Sequence, residues 1–320
     1  MFLIDVGRRM LPEGMNAAEA KKFHDPGLVD FGGGRSGGRR LELLGGIYVD
    51  RPLAQAGLPD RHEPHWKAAT ATFHADATRD GRGRWEFTAP LPDPWRVAIQ
   101  LDVERHGRHE PAVLSLEVRP APSGQVGVFL EQIEQWRWLK RVTRPDASVL
   151  SLFAHSGAAT LALAATGARV VHVDASKQAT AMARRNASAS GLDAAPIRWI
   201  CEDVRTFVAR ELRRGTTYDG VVLDPPSWGH GPKGQAFAID RDLEPLLADL
   251  SRLLRPAGTS GRAGPVLLTC HSPHWHHRRL HDTLSAVLHD DRIESGSLCC
   301  VDAAGRSLIL GDYSRQPPDR

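Results

Sequence analysis

What this chain of 320 residues has little of narrows the field first. It holds four cysteines, at Cys201, Cys270, Cys299 and Cys300, and no two stand in a Cys-x-x-Cys spacing. That count reads as reduced thiols of a cytosolic protein rather than a disulfide scaffold. No apolar run approaches the ~18 residues of a membrane span, which argues against a membrane partner. The opening stretch MFLIDVGRRM has no basic region ahead of a long apolar core, so no secretory signal is expected there. A cytoplasmic location follows as the expectation. The formal net charge is only +3, which permits nucleic-acid binding without demanding it. There is no internal repeat.

The first third differs in texture from the rest. Residues 31–46, FGGGRSGGRRLELLGG, are rich in Gly and Arg, and short segments punctuated by Pro and Gly follow. The alternation of Ala69, Ala71 and Phe73, and the run RVAIQLDV, predict strands. A small, mainly antiparallel α+β domain is expected over 1–118, a candidate for substrate recognition. VRPAPSGQ at 118–125 marks the boundary with a second domain over 119–320.

From there strands and helices alternate. GVFLEQIEQWRWLKRV at 127–142 has helical spacing. SVLSLF, ARVVHVD, PIRWICED, YDGVVLD and GPVLLTC read as strands, each followed by a helical segment. RIESGSLCCVD and SLILGDYS close the chain as an antiparallel pair. Near-continuous apolar strands alternating with helices predict an α/β fold: a Rossmann-like sheet of seven strands, the last two antiparallel. Ligands of such sheets bind beyond the carboxyl ends of the strands, where strand order reverses.

Those ends carry the chemistry. The first strand runs into FAHSG, where Gly157 opens the next helix; this is not the G-x-G-x-x-G of a pyrophosphate-binding turn. The second ends at Asp174, placed either to accept hydrogen bonds from ribose hydroxyls or to cap the next helix. The third ends at Asp203, a helix cap or a neighbour of an adenine beside Val204. The fourth ends in DPPSWG, whose two prolines cannot extend a ladder. One glycine turn and three strand-end acids suit a ligand with an amino acid portion, a ribose and an adenine. S-adenosylmethionine has that composition.

SLFAHSG, HVDASKQATAMARRNASASGL, CEDVRTFV and LDPPSWG resemble motifs I to IV of the class I S-adenosylmethionine-dependent methyltransferases. The resemblance is to the branch holding the bacterial 23S rRNA cytosine-C5 and guanine-N2 enzymes. GQVGVFLEQIEQWRWL resembles that branch's lead-in segment, and GRRLELLGGIYVDRP a set of bacterial members without the RNA-binding PUA module. The resemblance implies that Phe153, Ala154, His155, Ser156 and Gly157 line the methionine end of the cofactor. Asp174, with Ala175 and Ser176, would hold the ribose, and Asp203 and Val204 the adenine. Asp224 and Pro225 would border the methyl group, and Phe129 and Gln132 would close the pocket. Pro226, Ser227 and Trp228 would face the acceptor. Trp228 is placed either to stack a flipped base or to plug the loop.

The acceptor turns on Cys270, in LLTCHS at the end of the fifth strand. Cytosine-C5 enzymes of this branch use a thiolate near here to attack C6. Asp224 and Cys270 are therefore the candidate catalytic pair, with a buried strand-end cysteine as the alternative. If Cys270 is a bystander, an exocyclic nitrogen or a small molecule becomes the acceptor. A nicotinamide dehydrogenase and a non-catalytic cofactor-binding protein are the remaining readings. The histidines of HSPHWHHRRLH read as a polar helix start rather than a metal site, and no metal is expected. GRSGGRR, Arg184, Arg185, Arg213 and Arg214 are candidates for phosphate contact, with RNA, ribosomal RNA in particular, as the expected partner.

Overall fold

The computed structural model describes residues 26–33, 37–53, 58–61, 65–76, 82–105, 108–230, 236–255 and 264–318. The first 25 residues of the expected N-terminal domain, and Arg35 in its Gly/Arg-rich stretch, lie outside them.

Five strands form the N-terminal sheet: β1 (Gly27–Gly32), β2 (Arg39–Leu44), β3 (Ile47–Pro52), β4 (Ala71–Ala75) and β5 (Gly83–Phe87). They lie in chain order, antiparallel throughout except for β3 and β4. The alternation around Ala71 and Phe73 has its cause here, because both point into the core while Thr72 and His74 do not. A second ladder joins β6 (Arg96–Gln100) to β9 (Val113–Glu117), with the hairpin β7 (Val103–Arg105) and β8 (Arg108–Glu110) between them.

The remaining chain builds the large sheet. Its helices are α1 (Ile133–Val142), α2 (Ala158–Ala164), α3 (Lys177–Ala189), α4 (Val204–Arg213), α5 (Ile239–Leu253) and α6 (His277–Leu288). Its strands are β10 (Ser148–Leu152), β11 (Arg169–Asp174), β12 (Ile197–Cys201), β13 (Gly220–Leu223), β16 (Val266–Cys270), β17 (Glu294–Val301) and β18 (Ser307–Gln316). A small hairpin, β14 (Trp228–His230) and β15 (Ala236–Ala238), leaves the end of β13. Strand order is β12-β11-β10-β13-β16-β18-β17. The first five are parallel to one another, and β18 pairs antiparallel with both β16 and β17. So β18 alone runs against the sheet.

The apolar runs of the central strands follow from their position. Every residue of β13 and β16 is buried, because helices cover both faces. Gly220 begins β13 where a Cβ would collide with the Pro265 carbonyl, so the close approach of β13 to β16 requires glycine there. The chain fills one side of β10 with β11 and β12, then crosses to β13 on the other. That reversal opens a crevice at the carboxyl ends of β10, β11 and β13.

The two units share one core. Leu44, Val49, Ile99 and Leu116 of the N-terminal strands cluster with Trp136, Leu161 and Leu308 of the large domain. The edge of β9 is satisfied by α3: Ser190 Oγ accepts from Ser115 N at 2.9 Å, and Asn186 Oδ1 from Glu117 N at 2.8 Å. Packing of this kind fixes the N-terminal sheet beside the crevice. The expected helix over 127–142 begins only at Ile133, after an extended stretch at Phe129 and a 3₁₀ turn over Leu130–Gln132. Among the described residues no helix is long and apolar enough to cross a membrane.

Candidate active site

The loop after β10 departs from ordinary backbone. Phe153, His155 and Gly157 have φ of 50°, 42° and 85°, three left-handed residues within five. A non-glycine residue held there costs roughly 1–3 kcal/mol, so the surroundings must hold the loop in shape. They do so from four directions. Ala154 N donates to Val173 O at 3.2 Å. His155 N donates to Asp174 Oδ2 at 2.8 Å. Ser156 Oγ donates to Gly127 O at 2.7 Å, and Asn186 Nδ2 to Ser156 O at 2.9 Å. Gly157 packs so closely on α3 that a Cβ would stand 2.8 Å from that of Ala183.

Asp174, at the end of β11, also accepts from Ser176 N at 2.8 Å through Oδ1. Each carboxylate oxygen takes one amide and keeps a lone pair for a ligand. The cap of α3 is instead Ser176, whose Oγ accepts from Ala179 N at 3.1 Å. Asp203 does cap its helix: its Oδ1 accepts from Thr206 N at 3.0 Å. Phe153 packs against Phe237 of β15 with centroids 5.0 Å apart.

Asp224 is the most constrained of the acids. Thr269 Oγ1 donates to its Oδ1 at 2.8 Å, and Gln132 Nε2 to its Oδ2 at 3.4 Å. His271 Nδ1 stands 3.5 Å from Oδ1, and the other ring nitrogen is 3.1 Å from Glu131 Oε1. Burial disfavours an imidazolium at His271, but hydrogen bonds to Asp224 and Glu131 outweigh it and raise the pKa to about 10. Burial likewise disfavours the Asp224 anion, yet His271 and Thr269 hold its carboxyl below the usual value. At neutral pH this is an ion pair.

The N-terminal sheet extends the charge series. Arg40 Nε lies 3.7 Å from Glu42 Oε1, and Glu42 pairs with Arg51 at 2.6 Å. Burial opposes the Arg40 charge, but Glu42 and then Glu131 overcome it and raise its pKa. Charges thus alternate from Arg51 through Glu42, Arg40, Glu131 and His271 to Asp224.

These groups surround a cavity of about 620 Å³ at the crevice. The β11 end contributes Asp174, Ala175 and Ser176, the β12 end Asp203 and Val204, and the β13 end Asp224, Pro225, Pro226 and Ser227. Phe129, Phe153 and His155 also line it. Gln132, Ala154 and Ser156 line an adjoining cavity of about 60 Å³ with Phe153 and His155. Neither cavity is lined by Gly157, which shapes the loop from behind, or by Trp228, which is 58% exposed on β14.

Cys270 departs from its expected role. It is 1% exposed, packed among the core residues around Trp275 and Leu280, and it lines neither cavity. Burial pushes its thiol pKa up, away from a thiolate. The cause is the period of two in β16: Thr269 and His271 face Asp224, so the residue between them faces the core. His271 is likewise a member of the site, not part of a polar helix start. His277 pairs with Asp312 and His281 with Asp282, and no metal-binding group occurs among the described residues.

Glu131, Thr269, His271 and Phe237 were not legible as site residues, and Arg40 was legible only within GRSGGRR, as a candidate for phosphate contact. Glu131 sits inside the lead-in between Phe129 and Gln132, which was its only signal. Arg185 and Arg214 are committed to ion pairs with Glu117 and Glu211.

A switch-point crevice ringed by acids from three successive strand ends defines a nucleoside-cofactor enzyme on a Rossmann-like sheet. The family model described as S-adenosylmethionine-dependent methyltransferase matches residues 114–270. A crystal structure of the SAM-dependent methyltransferase from Agrobacterium tumefaciens is 34% identical, with a TM-score of 0.77, over 92% of this chain and 91% of its own. Ribosomal RNA large subunit methyltransferase I of Aeromonas salmonicida (strain A449) is 30% identical over 135 residues, 42% of this chain and 34% of that protein. Ribosomal RNA large subunit methyltransferase K/L of Vibrio cholerae is 31% identical over 135 residues, 42% of this chain and 18% of that protein. The matched stretch is thus about a third or less of the length of these two curated relatives.

This chain belongs to the S-adenosylmethionine-dependent methyltransferases, and S-adenosylmethionine is its cofactor. The residues suit that molecule. Asp174 retains acceptor capacity for two ribose hydroxyls, and buried Val204 offers an apolar surface to an adenine. The Asp224 carboxylate stands where a cationic amino acid end or an acceptor amine would be drawn.

Proposed function

We propose that the protein methylates an exocyclic amino group on a base of RNA. The observation that carries the choice of atom is the Asp224 anion beside Pro225 and Pro226, in a cavity that none of the four cysteines lines. Carbon 5 of a pyrimidine becomes nucleophilic only after a nucleophile adds at C6. An amino nitrogen already has a lone pair and asks mainly for orientation. Asp224 accepts one N–H of that amine, and the rigid prolines present a backbone carbonyl to the other. The bound cofactor supplies a methyl group on a sulfonium. As the N–C bond forms and the C–S bond breaks, the nitrogen's proton leaves toward Asp224 or solvent. Thr269, Gln132 and His271 keep the carboxylate ionised and aimed.

RNA is favoured as the acceptor because the relatives over the matched segment are ribosomal RNA methyltransferases. The test is transfer of tritiated methyl from S-adenosylmethionine into ribosomal RNA, total protein and a small-molecule extract, followed by nucleoside mass spectrometry. An N-methylated nucleoside is the expected product. C5-methylcytidine would overturn the choice of atom, and label confined to protein or small molecules would overturn RNA.

A further inference from the structure

The methyl-transfer cavity does not end at the crevice. Arg40 and Gln125 line both it and a second cavity of about 200 Å³. Ala75, Asp76 and Arg82 line both that cavity and a third, of about 560 Å³, against β4 and β5. The three cavities thus adjoin in series through shared wall residues, from the strand ends across the N-terminal sheet to its edge strand β5.

Charge in the outer two cavities is one-sided. Along the second and third cavities Arg40, Arg82 and Arg84 face a single acid, Asp76, whereas the acids Glu131, Asp174, Asp203 and Asp224 are confined to the first. Arg51 is neutralised by Glu42, and His74 faces Glu86 at 2.8 Å. Arg82 and Arg84 are exposed and form no ion pair among the described residues. Two residues apart along extended chain, they stand about 7 Å from each other. At the inner end, Arg40 Nε is buried without a hydrogen-bond partner.

We propose that this series of cavities carries the single-stranded backbone of the RNA acceptor, with phosphates against Arg82 and Arg84 and the target base entering past Arg40 and Gln125. The proposal rests on the RNA reading above. A base delivered to the cavity stays attached to its strand, so a polymeric acceptor needs a groove leading out, whereas a free nucleoside needs none. Single-stranded chain fits because a duplex must first extrude the base. Guanidinium groups match phosphate oxygens in paired hydrogen bonds.

The test uses the full chain and a fluorescein-labelled single-stranded 12-nucleotide oligouridylate, with anisotropy read across a salt series. Arg82→Glu with Arg84→Glu is expected to weaken binding at least tenfold. The double variant should also flatten the slope of log affinity against log salt by about 1.4, at about 0.7 per phosphate contact on a single strand. Affinity for S-adenosylhomocysteine by calorimetry should stay within about twofold, showing that the fold persists. If the wild type binds RNA and the variant binds it equally with the same salt slope, this proposal falls and the RNA reading stands. If the wild type binds no RNA but holds a poly-glutamate peptide that the variant loses, both fall.

Discussion

His271 Nδ1 stands 3.5 Å from Asp224 Oδ1, joining the end of β16 to the end of β13 at the wall of the cavity. With Glu131 on its other nitrogen, the imidazole is held as a cation. The pair sets the charge state of the carboxylate to which the proposed function assigns the acceptor amine.

His271→Gln should therefore expose Asp224 to the effect of burial that His271 now counters. The acid limb of the activity profile is expected to move upward in pH, and an unmoved limb would show that His271 only fills space. Stability follows a different window. The folded pKa of about 10 lies above the ordinary 6.5, so the contribution of His271 is fully present below about pH 6.5. It is lost as pH rises toward 10. Urea denaturation should show wild type and His271→Gln furthest apart near the bottom of that window and converging at its top.

Asp174→Ala removes the acceptor for His155 N and Ser176 N, and with it the proposed ribose contact. Hydrogen bonds to a charged group contribute about 1.5–3 kcal/mol, so S-adenosylhomocysteine affinity should fall at least tenfold in calorimetry. Unchanged affinity would remove Asp174 from the cofactor site.

Cys270→Ala is expected to leave methyl transfer within about twofold of wild type while lowering stability by about 1 kcal/mol, the cost of a small cavity in a packed core. The readouts are initial rates and thermal denaturation. Loss of activity with an intact melting transition would restore the thiolate role.

Much of this architecture was legible in the sequence for a definite reason. Central parallel strands are buried on both faces, so β10, β13 and β16 had to be short apolar runs, and their spacing by helices implied the sheet. The strand-end acids were legible because they follow those runs directly. The switch to an extended entry at Phe129 was not, since the apolar spacing there suits a helix equally well. Asp203 caps α4 and also lines the cavity, so the capping role does not remove it from the crevice.

Local pattern thus determined the order of strands and helices, the glycine that starts α2, and the stations at Asp174, Asp203 and Asp224. Only the tertiary structure decided that the two neighbours of Cys270, and not Cys270 itself, meet Asp224, because one step along a strand reverses the direction of a side chain. It alone brought Glu131 to His271 and Arg40 to the cavity, across distances in sequence that no local periodicity encodes. The physical reason is that charges placed far apart along the chain become partners only once the shared core has packed the N-terminal sheet against the large domain.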